Sequence, residues 1–187
     1  MKRNLTFMTF AVGALMSVTS MAQDTQTDNH VITVKVPNVA LLDLESTASK
    51  NFNAEFTQAT PLEAGEKITK AQDNSDTWLN YSSILVDGGA SSRHVDVKID
   101  ELVPGITIKV KAGNASTGEG TLGSTGGRVT LSTVDQVAVA GIGSAYTETG
   151  ASKGHRLTYS FNAPNSSYAD LRAKDYAVTV TYTLADD

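Results

Sequence analysis

Residues 176–184 read YAVTVTYTL, and this stretch decides the fold class of the chain. Every second residue from Tyr176 onward is an apolar or aromatic residue, and alanine or threonine stands between them. Successive side chains of a β-strand point to opposite faces, so this period of two predicts a strand with one buried and one exposed face. β-Branched and aromatic residues favour strands as well. The stretch therefore predicts a long strand near the C-terminus of the chain.

Shorter runs with the same alternation occur along the rest of the chain. They fall at 31–36, 52–56, 95–99, 106–110, 129–131, 137–139 and 155–161. Turn-forming residues separate many of them, such as Asp87-Gly88-Gly89 and Pro104-Gly105. The Gly/Ser/Thr-rich stretch 112–127 is predicted to be a surface loop or a weak hairpin. No segment keeps apolar residues at helical spacing for three turns.

These patterns predict an all-β fold, an Ig-like antiparallel β-sandwich of roughly seven to ten strands with little helix. The inward-facing position of each run is expected in the core. The predicted core residues are Ile32, Val34, Phe56, Trp78, Val97, Ile108, Val110, Leu157, Tyr159, Val178, Val180 and Tyr182.

The first 22 residues have the composition of a secretory signal peptide. Lys2 and Arg3 precede an apolar stretch, and Ser20 and Ala22 offer the small side chains that a signal peptidase recognises. The apolar stretch, of roughly 14 residues, is shorter than a membrane-spanning helix. We therefore predict an exported protein, located in the periplasm, on the outer surface or outside the cell. Its predicted parts are a signal peptide (1–22), a flexible lead (23–29) and a single β-sandwich domain (30–187).

Charge and cysteine content argue against several functional classes. The whole chain has 15 basic and 20 acidic residues, a net charge of −5, and residues 23–187 alone carry −7. Such a surface disfavours nucleic acid, which requires basic patches. The chain has no cysteine, which excludes disulfides and thiolate-bound zinc or iron–sulfur sites. After the signal peptide, no stretch is long and apolar enough for a transmembrane segment.

Two glycine-rich motifs and three histidines are candidate signs of catalysis or cofactor binding. Residues 118–123 (GEGTLG) match the spacing of a dinucleotide-binding loop, but Gly/Ser/Thr residues follow where a helix should begin. Ser144 has no glycine at position 142 or 146, where a nucleophile elbow requires one. His30, His94 and His155 each lie in or beside a strand pattern, so we interpret them as half-buried or surface histidines. The sequence therefore predicts a non-enzymatic protein without catalytic residues, metal ligands or cofactors.

Three aromatic residues are candidate ligand contacts, namely Trp78, Tyr81 and Tyr146. Exposed aromatic rings suit stacking against a sugar. A single tryptophan in a β-sandwich is more often a core anchor. A carbohydrate- or ligand-binding module, with a glycan as its partner, is therefore the alternative function.

The first and last strand patterns are candidates for strand exchange. A long strand at a sheet edge can pair with a strand of another chain. The first pattern follows a polar lead, and it either pairs within its own sheet or is donated to a neighbouring subunit. The candidate residues are Val31, Ile32, Val34, Val36, Val178, Val180 and Tyr182.

The stretch AVTVTYTL (177–184), which follows the turn Tyr168-Ala169-Asp170, resembles the last strand of spore-coat-U and chaperone–usher pilin-type subunits. That resemblance implies an exported Ig-like β-sandwich that polymerises by donating an N-terminal strand. The stretches WLNYSS (78–83), VPGITIKV (103–110), GIGSAY (141–146) and GHRLTYS (154–160) resemble uncharacterised secreted proteins of Bacteroidetes bacteria, which imply no particular activity. The leading hypothesis is an exported, non-catalytic structural or adhesive subunit, fimbria- or coat-like. Its expected partners are other copies or other surface subunits, bound by strand pairing.

Overall fold

The computed structural model describes residues 26–187 and contains nine strands and one short helix. The strands are β1 (Val39–Ser46), β2 (Asn74–Ile84), β3 (Arg93–Ile99), β4 (Thr107–Ala115), β5 (Glu119–Thr125), β6 (Val129–Thr130), β7 (Gln136–Tyr146), β8 (His155–Asn162) and β9 (Val180–Asp186). A 3-10 helix spans Asn165–Asp170. Within residues 26–187, no helix is long and apolar enough to cross a membrane. The predicted signal peptide and residues 23–25 lie outside the described residues.

The contacts within the chain group its residues into two units, with the boundary after Lys35. Residues 36–187 form one compact unit. Residues 26–35 contain no strand, and each of them is exposed.

The named strands all pair antiparallel, in the order β6-β4-β8-β2-β7-β3-β9, with β1 also on β2 and β5 also on β7. β2 and β7 pair over only Ser82–Tyr146 and Ser83–Ala145. This short contact joins the group β1-β2-β8-β4-β6 to the group β5-β7-β3-β9. Side chains of the two groups meet in the core, where the Tyr159 and Tyr182 hydroxyls lie 2.9 Å apart. The all-β prediction is confirmed, and the two groups are consistent with a sandwich.

Most of the predicted core residues are covered. Trp78, Val97, Val110, Leu157, Tyr159 and Tyr182 are buried. Phe56, Ile108, Val178 and Val180 are partly buried against the core cluster. The predictions for Ile32 and Val34 are wrong, because these side chains are 74% and 79% exposed. The alternation at 31–36 favours a strand, but those residues belong to no strand of the fold.

The strand predicted over 52–56 does not form. This part of the chain is a loop with a single isolated bridge, between Thr57 and Thr69. Phe52 instead packs its ring against Tyr159 and Phe161, with centroid distances of 5.4 and 6.2 Å. Its aromatic side chain therefore anchors a loop to the core and does not mark a strand.

Two other boundaries differ from the prediction. Residues 119–125, predicted as loop or weak hairpin, form β5, which pairs with β7 and not with the preceding β4. The last strand starts at Val180 rather than Tyr176. Just before it, the Asp100 carboxylate accepts the Thr179 N–H at 2.8 Å and the Asp100 N–H donates to the Thr179 carbonyl at 3.1 Å. These two bonds mark the end of the pairing between β3 and β9. Residues 176–179 precede the strand and belong to none.

Candidate functional site

Residues 31–36 carry a strand pattern outside any strand. Val31, Ile32, Val34 and Val36 are 90%, 74%, 79% and 69% exposed. In extended conformation Ile32, Val34 and Val36 would share one face. Full burial of one such side chain is favourable by about 1.5–3 kcal/mol of free energy. Binding of a partner that covers all three side chains is therefore favoured by several times this amount.

Arg93 fixes the chain directly after this segment. Its side chain is only 4% exposed, and it donates to Asn38 Oδ1 (3.0 Å), to the Val39 carbonyl and to Ser83 Oγ (3.1 Å). It also pairs with Asp186 at 2.6 Å. Arg93 thus ties the start of β3 to the start of β1 and to the ends of β2 and β9.

Arg93 is a buried residue that was not among the predicted core residues. Its position offered a signal, since it stands two residues before Val95 and in phase with Val97 and Ile99, all of them buried. Period-two reasoning therefore places Arg93 on the inward face of β3.

Strands β1 and β9 each have an open edge. Among residues 26–187, β1 pairs only with β2 and β9 pairs only with β3. Cα atoms of β1 and β9 come within 8 Å of each other without pairing. Both strands carry apolar side chains that pack against the core but remain partly exposed: Leu42 and Leu44 on β1, and Val180 and Leu184 on β9. We refer to the open edges of β1 and β9 together as the open margin. A strand added along the open margin would cover these apolar side chains.

The strand-exchange candidates of the last strand lie on this margin. Val178 and Val180 are partly buried. Tyr182 is buried and bonded to the Tyr159 hydroxyl. Because β9 pairs with β3 from Val180 to Asp186, its own residues are held in place, and its open edge is the part that is available to another strand.

The three candidate ligand-contact aromatics do not form one platform. Trp78 is 8% exposed, and the Arg156 guanidinium lies 5.7 Å from the centre of its ring. Tyr81 is 3% exposed, and its hydroxyl bonds to the Leu122 carbonyl and to His155 Nε2. Only Tyr146, which is 51% exposed, presents a ring to solvent. A sugar platform built on all three is therefore absent among these residues.

The interpretation of His155 as a half-buried or surface residue is wrong. The side chain is 1% exposed, Nδ1 lies 2.8 Å from the Gly113 carbonyl, and Nε2 lies 2.9 Å from the Tyr81 hydroxyl. A neutral imidazole that donates from Nδ1 and accepts at Nε2 satisfies both contacts. Burial lowers the pKa of His155. Like Arg93, His155 stands in phase with buried residues of its strand, here Leu157 and Tyr159.

His94 has a carboxylate at each ring nitrogen. Nδ1 lies 2.5 Å from Asp187 and Nε2 lies 3.2 Å from Asp96. The hydrogen bond to Asp187 is the main cause that raises the pKa of His94. Ser92 donates to the same Asp187 carboxylate, whereas a nucleophilic relay places the imidazole between serine and carboxylate. Among residues 26–187 no group of three His, Asp or Glu side chains could hold a metal ion.

The two histidines predict opposite effects of pH on stability. The lowered pKa of His155 means that, below its ordinary value of 6.5, the unfolded chain binds more protons, so the free energy of unfolding falls with falling pH. The raised pKa of His94 contributes stability below 6.5 that is lost as pH rises through its folded value.

Urea unfolding between pH 5 and 8 tests this for the wild type, His94→Gln and His155→Gln. We expect a shallower decline below about pH 6.5 for His155→Gln, by up to about 1.4 kcal/mol per pH unit. For His94→Gln we expect loss of the gain in stability that His94 contributes as pH falls toward 6.5. Identical pH slopes for the three proteins would contradict both assignments.

A surface hollow lies between a loop and the 3-10 helix. It has a volume of about 320 Å³ and is lined by Gly65, Glu66, Lys67, Asn165 and Tyr168. The Lys67 ammonium donates to the Ala163 carbonyl and to Asn165 Oδ1, and it lies 5.4 Å from the centre of the Tyr168 ring. These contacts stabilise the loop and occupy the one cationic group of the hollow.

No family model, curated protein or solved structure matches this chain. The resemblances to pilin-type subunits and to secreted Bacteroidetes proteins therefore stay hypotheses.

Proposed function

We propose that this protein is an exported, non-catalytic structural or adhesive subunit of the cell surface, fimbria- or coat-like, that self-associates by strand pairing. The observation that carries the proposal is the segment 31–36, which has the alternation of a strand, lies outside every strand and exposes its valines and isoleucine. In this scheme one copy donates residues 31–36 to the open edge of a neighbour.

The open margin of β1 and β9 supports such pairing. Edge strands present unpaired backbone N–H and C=O groups to any strand that adds on. Six extended residues span roughly 20 Å, comparable to the length of the seven-residue β9. Ile32, Val34 and Val36 would cover the partly exposed side chains of this margin while the backbone of the donor completes the ladder.

The Arg93 contacts give a donated segment a defined starting point. Because Asn38 and Val39 are held by a buried side chain, the donated segment leaves the domain from a fixed point. A fixed exit lowers the conformational entropy that is lost when two copies pair.

Size-exclusion chromatography with light scattering tests the proposal on the full chain without its signal peptide. We expect multimers for the wild type and monomers for Ile32→Asp/Val34→Asp, because two carboxylates on the donated face cannot be buried unpaired. Asn29→Asp/Thr33→Asp is the matched control, with the same change in charge on polar positions, and it should still form multimers. Strand donation is wrong if the wild type stays monomeric at high concentration, or if Ile32→Asp/Val34→Asp assembles as the wild type does.

A further inference from the structure

An apolar patch lies on the outer face of β1, β2 and β7. Leu41 is 66% exposed and Tyr146 is 51% exposed, and Val86, just past β2, is 52% exposed. Val39 and Ile84 are partly exposed. We refer to these five residues, Val39, Leu41, Ile84, Val86 and Tyr146, as the outer patch.

Strand register places the members from the strands on one face. Val39 pairs with Ile84, Leu41 pairs with Ser82, and Ser82 also pairs with Tyr146. Directly opposite residues of antiparallel strands share a face of the sheet. Leu41 and Tyr146 are therefore two strands apart, about 10 Å, on either side of a serine.

The outer face of β9 is more polar. On the outer face of β9 stand Thr181 and Thr183, and Thr181 pairs with Lys98 of β3. Single exposed apolar residues need no explanation, but a group on one face commonly marks an interaction surface. The outer patch brings together a leucine, a tyrosine and β-branched residues, a composition that suits a protein partner.

Chain connectivity limits where a copy bound to residues 31–36 can lie. Three residue steps separate Val36 from Val39, which allows at most about 10 Å between their Cα atoms. Any copy that pairs with residues 31–36 must therefore lie close to Val39. We propose that the outer patch is the surface on which the receiving copy docks, as a second contact beside the donated strand. This inference rests on the proposed strand donation.

The test compares assembly of whole subunits with binding of the donated strand alone. Leu41→Thr/Tyr146→Thr removes exposed apolar surface from the patch and keeps strand propensity. Val134→Thr/Val137→Thr is the matched control, since those side chains are 69% and 50% exposed and belong to no part of the patch. A synthetic peptide of residues 29–38 is the probe for the strand, with the full-length, donation-defective Ile32→Asp/Val34→Asp protein as its receiver.

We expect the patch variant to raise the concentration for half-assembly about tenfold or more, because two central side chains of the contact are truncated at once and a few central residues carry most of the binding energy of an interface, while the control changes it less than about twofold. Peptide affinity should be the same for receivers with and without the patch substitutions. If the peptide binds but the patch variant assembles as the wild type does, or if the substitutions weaken peptide binding equally, the docking surface is wrong and strand donation stands. If the peptide does not bind and the wild type is monomeric, strand donation fails and the docking surface with it.

Discussion

Replacing Arg93 with methionine is expected to lower the free energy of unfolding by about 3 kcal/mol. Methionine fills a similar volume but leaves Asn38 Oδ1, the Val39 carbonyl and Ser83 Oγ without the donor they have in the wild type. Removal of one partner from a buried charged network typically costs about 3–5 kcal/mol, because the remaining groups stay desolvated and unpaired. We take the lower end, since Asp186, the anionic partner, is 63% exposed and can be hydrated.

Asp186→Asn is the control that separates the ion pair from the hydrogen bonds. It removes the negative charge but leaves the contacts of Arg93 with β1 and β2 intact. Asp186 is exposed but Arg93 is buried, so the pair lies between an exposed pair, which contributes about 0–1 kcal/mol, and a buried one, and we expect a loss smaller than that of Arg93→Met. Urea denaturation monitored by Trp78 fluorescence measures both variants. Equal losses for Arg93→Met and Asp186→Asn would mean that the ion pair, and not the bonds to β1 and β2, gives Arg93 its effect.

Period-two reasoning predicts which residues share a face better than it predicts which chemical groups are buried. The patterns at 95–99 and 155–161 correspond to β3 and β8. Arg93, two residues before the first pattern, and His155, at the start of the second, stand in phase with buried valine, leucine and tyrosine. Their charge and polarity suggested exposure, but in the fold each polar nitrogen has a hydrogen-bond acceptor or donor that no local sequence reveals. The cost of burying a polar group depends on such distant partners.

Bulges also limit what alternation can predict. Val137 and Val139 stand two residues apart, yet Val137 is 50% exposed and Val139 is fully buried. The pairing of β3 with β7 shifts between these positions, where Val95 faces Val139 and the next residue, Asp96, faces Val137. One additional residue on β7 reverses the face of the residues that follow, up to the next shift, between the Val95–Val139 and Arg93–Ile142 pairs. At 31–36 the pattern likewise shows that a strand could form, but not which partner would pair with it.

The glycine spacing of residues 118–123 also has a structural reason. Gly120 lies in β5 opposite Ala145 of β7, with φ of +91°. A Cβ atom at this position would overlap the Ser144 carbonyl oxygen. The glycine that resembles part of a dinucleotide-binding loop therefore permits close approach of two backbones in a bulged sheet. A sequence without the pairing partner cannot distinguish these two uses of glycine.

Gly120→Ala is accordingly expected to destabilise the protein by about 3 kcal/mol or more. The left-handed backbone conformation costs an alanine about 1–2 kcal/mol, and the overlap with β7 adds about 1–3 kcal/mol, as overpacking of a well-packed site does. Two other glycines separate these contributions. Gly141 has φ of +68° with nothing within 4 Å of an added Cβ, and Gly126 has open space without a positive φ.

The three alanine variants form a series whose order is the result to measure. We expect Gly126→Ala to change the free energy of unfolding by less than about 0.5 kcal/mol, Gly141→Ala to lower it by about 1–2 kcal/mol, and Gly120→Ala to lower it most. Urea midpoints at constant m-value give each difference. If Gly120→Ala costs no more than Gly141→Ala, then β5 moves away from β7 at little cost, and the Gly120–Ala145 pairing is too weak to hold that edge of the sheet. A larger loss for Gly120→Ala shows that the close contact of β5 with β7 stabilises the edge, because backbone conformation alone is already measured by Gly141→Ala.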